Sequence, residues 1–150
     1  MKNLYFDTTD FDTKFRKIIR ETYPELVLKG MARAMFNLMR DCVMQAPTVP
    51  IREGWLRGSA SIFVQNKLVG VSSYGKPGFA TTNLAEAITA GKYVGTIIFN
   101  TPYAAHVHEG IGIRHWTEPS SGPKYLEAKL MGNGRSYMQE IADTIKAGAR

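Results

Sequence analysis

A chain of 150 residues with 44% hydrophobic side chains is the size of one domain and can bury a core without a metal or disulfide staple. Its single cysteine, Cys42, excludes an internal disulfide, and no stretch approaches the ~18 consecutive apolar residues of a membrane helix. The formal net charge of +6 favours acidic partners, but the 19 lysines and arginines are dispersed and build no nucleic-acid motif, so a solvated basic face is the simpler expectation.

Along the chain, Asp10 is placed to cap a helix over 11–22, where Phe11, Phe15, Ile18 and Ile19 recur at helical spacing with Lys14 and Lys17 outward. Pro24 suits the first turn of a second helix, over 24–45. Its stripe of Val27, Met31, Ala34, Met35, Leu38 and Cys42 opposes Lys29, Arg33, Asn37 and Arg40. The methionines of this stripe read as core packing rather than as a partner-binding face. Pro47 and Pro50 end the helix.

A strand over 59–65 follows, with Ala60, Ile62 and Val64 on one face, paired with 68–71 after an Asn66-Lys67 turn. Residues 72–91, with Tyr74, Lys76 and Phe79 among glycines and proline, read as a flexible loop between strands; Asn83 and Glu86 mark a short helix ending at Gly91. The run 93–100 is apolar on both faces, as expected of a central strand. After a short helical segment to Glu109, residues 110–122 form an exposed glycine-rich loop. Pro123 opens a helix carrying Leu126 and Leu130, Gly132-Asn133-Gly134 interrupts it, and Ser136 with Gln139 caps a last helix bearing Met138, Ile141 and Ile145. The whole reads as one α+β domain, with N-terminal helices and a C-terminal helix packed on a small, mainly antiparallel β-sheet.

Four groups invite a chemical reading. His106, His108, Glu109 and His115 are of the types that bind zinc, but histidines two apart on a helical segment point roughly 200° from each other, so exposed or interface histidines are expected. Cys42 on an apolar helix stripe is a buried, inert thiol. Gly110-Ile111-Gly112 and Gly132-Asn133-Gly134 lack the length and the following lysine of a phosphate cradle. Trp55, Arg57, Trp116 and Tyr125 do not fall on one strand, so burial or protein contact outweighs stacking on nucleic acid. No catalytic residue, metal or cofactor is expected.

Three segments in order carry a resemblance. Ala46-Pro47 followed by Gly54-Trp55-Leu56-Arg57-Gly58-Ser59, then Asn100-Thr101-Pro102-Tyr103-Ala104-Ala105-His106-Val107-His108-Glu109-Gly110, then Gly122-Pro123-Lys124-Tyr125-Leu126, resemble the tail-completion or head–tail joining (neck) proteins of long-tailed bacteriophages. The chain departs from that pattern at His108, where the family more often has a large apolar residue, and in the long excursion over 72–91. The resemblance implies a non-enzymatic virion protein, assembled in the host cytoplasm into a ring, hexameric in the family, at the phage neck or upper tail. Its implied neighbours are head-completion or connector proteins and tail-tube or tail-terminator proteins, with DNA passing nearby in the lumen and no membrane.

A ring of like subunits uses a heterologous interface, in which one face meets a different face of the next copy. Arg57, Glu109, His108, Tyr74, Lys76 and Phe79 are the expected contact residues. Arg57 and Glu109 can pair across such an interface or within one subunit. The 72–91 loop is expected to order as neighbours close around it, and the excess positive charge to face proteins rather than the lumen. The competing reading is a small basic nucleic-acid-binding protein; a metal-dependent hydrolase resting on the histidines stands further off.

Overall fold

In a computed structural model of the chain, the described residues are 4–7 (as backbone), 24–80 and 93–148. The principal helix, α1 (Pro24–Met44), begins at the expected proline and buries Val27, Met31, Ala34, Met35, Leu38 and Cys42, the predicted stripe, together with Met39. Each of these large side chains contributes about 1.5–3 kcal/mol when it is withdrawn from water. The helix expected over 11–22 and the short helix at Asn83 and Glu86 lie outside the described residues.

A four-stranded antiparallel sheet takes the order β1-β4-β2-β3, from β1 (Leu4–Asp7), β2 (Ala60–Val64), β3 (Lys67–Val71) and β4 (Val94–Phe99). As the doubly apolar run predicts, β4 is an interior strand, flanked by β1 and β2. Ala60, Ile62, Val64, Ile97 and Phe99 join α1 in the main core, while Phe63 and Ile98 form a smaller buried pair apart from it. Gly95 lets Met35 settle on β4, since a Cβ there would stand 2.8 Å from its sulfur.

The sequence reading shows no strand at 4–7, and it sets the hairpin turn one residue late. The turn is Gln65-Asn66, both at positive φ (51° and 65°), the combination whose twist matches a two-residue hairpin. The register slips between Ile62 and Phe63: Lys67 and Leu68 face Val64 and Phe63, Gly70 and Val71 face Ile62 and Ser61, and Val69 is left as the extra residue of a bulge.

The last helix corrects the reading most. α4 (Tyr125–Gly148) is one continuous helix of 24 residues that runs through Gly132 and Gly134. Two glycines cost about 1 kcal/mol each in a helix interior, less than the helix gains by packing along α1. Tyr125, Leu126, Tyr137, Ile141 and Ile145 are buried in that contact, and Gly30 of α1 brings its backbone against Ile141. A polar cluster fixes the same contact. Tyr137 Oη donates to buried Asp41 at 2.8 Å, and Asn133 Nδ2 donates to Gln45 at 3.0 Å and to Asp41 at 3.4 Å. Nearby, buried Lys129 donates to the Pro47 carbonyl at 2.8 Å and so ties α4 to the turn that ends α1.

Candidate interaction surfaces

Between α1 and the sheet lies a short helix, α2 (Trp55–Gly58), entered through Gly54 at φ 88°, a conformation that favours glycine. The described half of the 72–91 segment is laid directly on it. Lys76 N–H donates to the Gly54 carbonyl at 2.9 Å, and a Cβ on Gly58 would stand 1.8 Å from the Lys76 carbonyl oxygen, so only glycine admits this approach. The Trp55 and Phe79 rings meet edge to face at 5.3 Å, and Lys76 Nζ stands 4.9 Å from the Trp55 ring centroid. Tyr74 packs partly buried against the core, its N–H bonded to Ser72 Oγ at 3.1 Å.

This junction is one wall of a groove of about 730 Å³. The other wall comes from Tyr103 and from α3 (Ala104–Glu109), with Ile113 beyond it. Trp55, Phe79, Tyr103 and Val107 make it predominantly apolar, with Arg52, Glu53 and His106 as its charged or titratable members.

Arg57 and Glu109 do not meet each other. The Arg57 guanidinium is largely buried, donating through Nε to the Val49 carbonyl at 2.8 Å and through Nη2 to Glu118 at 2.5 Å. It thereby pins the 110–122 segment, otherwise mostly exposed, onto the linker after α1; Thr48 adds a backbone bridge to Ser121. Glu109 accepts from Lys124 at 2.6 Å and lies 3.3 Å from His108 Nδ1.

His108 contradicts the expectation of an exposed or interface histidine. It is 6% exposed, its ring edge-on to buried Tyr125 at 4.9 Å, and its Nε2 has no hydrogen-bond partner among the described residues. Burial lowers its pKa below the usual histidine value, against the opposing pull of Glu109. Physically it fills a core position in which an apolar side chain would serve. Tyr125, for which the sequence favours burial or protein contact, is buried, at 1%. His106 and His115 are exposed, and among the described residues no three histidine, cysteine or acidic side chains are grouped to hold a metal ion. Burial pushes the Cys42 thiol up to about 12, in keeping with an inert core cysteine.

The surface that sequence reasoning missed is the outer edge of the sheet. β3 exposes Leu68 (39%), Val69 (37%) and Val71 (43%), and Phe36 of α1, 42% exposed, reaches over Gly70 on the same strand. A signal for it was present. Lys67-Leu68-Val69-Gly70-Val71 lacks the polar alternation of a solvent-facing edge strand, but only the strand order reveals that, among the described residues, no further strand covers it. No protein-family model, no curated protein and no solved structure matches this chain.

Proposed function

We propose that this chain is a structural virion subunit of the tail-completion or head–tail joining kind, which assembles with copies of itself into a ring at the phage neck or upper tail. The observation that carries the reading is an apolar edge that no other strand covers among the described residues: three exposed aliphatic residues on an outer strand, beside an exposed phenylalanine. Monomeric proteins blunt such edges with charge or cover them, so an edge left apolar is a surface awaiting a partner. The α+β architecture agrees with what the three sequence segments imply, and the groove at Trp55, Phe79 and Tyr103 offers a second apolar surface for a neighbouring head or tail protein. In this reading the chain performs no catalysis. Arg57, Lys76 and Glu109 act first within the subunit, shaping the loops that meet the neighbours.

Electron microscopy of the untagged protein tests the proposal: discrete rings are expected, alone or on adding purified tails that lack this subunit. Particles no larger than a monomer under both conditions contradict it. The net charge of +6 favours one competing reading, a basic nucleic-acid-binding protein. That reading requires a monomer whose DNA affinity falls steeply with salt, because each neutralised phosphate releases counterions.

A further inference from the structure

The groove between α2 and α3 is walled by aromatic and aliphatic side chains, and the balance of charge around it is positive. Glu53, the one carboxylate among its described lining residues, accepts from the Trp55 indole N–H at 3.2 Å. Arg52 beside it is exposed, and the Lys76 ammonium stands 4.9 Å from the Trp55 ring centroid. Arg114, also exposed, directly follows Ile113 of the lining. Among the described residues, none of these cations has an ion-pair partner. An occupant that matches both halves of the surface brings apolar side chains to the aromatic walls and carboxylates to the cations.

We infer that this groove receives an acidic, apolar segment of a neighbouring protein. Its aromatic or aliphatic side chains sit on Trp55, Phe79 and Tyr103, and its carboxylates meet Arg52 and Lys76. The inference rests on the reading of the groove as a docking surface for a neighbour, and adds the chemistry of what docks. The volume, about 730 Å³, is that of a cleft able to enclose several side chains.

Two other occupants match it less well. β3, where three exposed aliphatic residues cluster, carries Lys67 as its only charged residue, so a second copy docking by that strand would set like charges together. Single-stranded nucleic acid needs open aromatic faces on which to stack its bases. The Trp55 ring already has Lys76 over it and the Phe79 ring against it, and Gly78 lies so close that a Cβ there would stand 2.6 Å from the indole. A phosphate chain would also have to pass Glu53.

The probe is a fluorescein-labelled peptide that alternates glutamate with leucine–phenylalanine pairs, titrated with the full-length protein and read by fluorescence polarisation. It is expected to bind about tenfold more tightly than a counterpart with lysine for every glutamate. Arg52→Glu should lose about tenfold in affinity for it, Arg52→Lys should keep it, and Tyr103→Ala should lose about fivefold. Arg52 and Tyr103 are exposed, so these substitutions leave the core alone, and circular dichroism identifies the folded variants. Equal affinities for the two peptides, or an Arg52→Glu variant that binds as the parent does, would overturn the inference. Oligothymidine that displaces the glutamate peptide would overturn it in favour of nucleic acid. Self-association lost in Arg52→Glu, with no peptide bound by the parent, would overturn it in favour of a second copy. Polarisation reads peptide binding in any oligomeric state. A parent that binds the peptide but forms no ring therefore counts against the assembly reading alone, and a ring that ignores the peptide counts against this inference alone.

Discussion

Asp41 and His108 show how two buried polar residues are handled in one small core. The Asp41 carboxylate is satisfied by Tyr137 at 2.8 Å, with Arg40 at 2.9 Å on its solvent side. Tyr137→Phe removes one bond to a charged acceptor in the α1–α4 contact and should cost about 1.5–3 kcal/mol, read from the denaturation midpoint. His108 is satisfied on one side only. Its folded pKa lies below its unfolded value near ~6.5, so the unfolded chain takes up the proton first as pH falls. Stability is therefore whole above the unfolded pKa and declines as pH drops through the window beneath it, until the folded pKa is reached. Glu109, Lys124 and Glu127 act on the ring, and Tyr125 packs on it, so the slope belongs to a cluster. His108→Leu should flatten the fall in melting temperature as the pH drops below ~6.5, the ordinary histidine value. An unchanged pH profile would mean that the ring titrates freely. None of this was legible in the sequence, because His108 and Tyr125 meet only once α3 is folded over the start of α4.

At the scale of elements, sequence reading succeeded where one period dominates. The helical stripe of α1 predicted its start at Pro24 and its buried face, and the doubly apolar run of β4 predicted an interior strand. It failed where a local rule was overruled by tertiary contact: Gly132-Asn133-Gly134 reads as a break, yet Asn133 is bonded to α1 and the helix continues. It also failed at β1, whose four residues are too few to show an alternation. Glycines that look alike in sequence should then respond in opposite directions. A Cβ at Gly132 or Gly134 meets nothing within 4 Å, so Gly132→Ala and Gly134→Ala should each stabilise the protein by about 0.5–1 kcal/mol through helix propensity. Gly58→Ala drives a methyl into the Lys76 carbonyl and should cost about 3 kcal/mol, at the upper end of overpacking effects. Thermal or urea denaturation of the three variants checks the signs. Destabilisation by Gly132→Ala would show that α4 needs its glycines for something other than tolerance.

For the whole molecule, the α+β class and the antiparallel sheet were legible, whereas the surfaces were not, because exposure depends on strand order and on what packs over each edge. Arg57 and Glu109 read as contact residues in the sequence because each is charged and stands at a strand entry or beside glycine. Folding gives both partners within the subunit, while the apolar edge of β3, inconspicuous as sequence, is left uncovered. An account built on that edge makes assembly sensitive to it and folding insensitive. The most direct test is the solution mass of the untagged protein against concentration, by light scattering behind a sizing column, for the parent chain and for Leu68→Lys with Val71→Lys. The account predicts a discrete oligomer for the parent and a folded monomer of unchanged helical content for the variant. A parent that stays monomeric at every concentration, or a variant that assembles as the parent does, would contradict it.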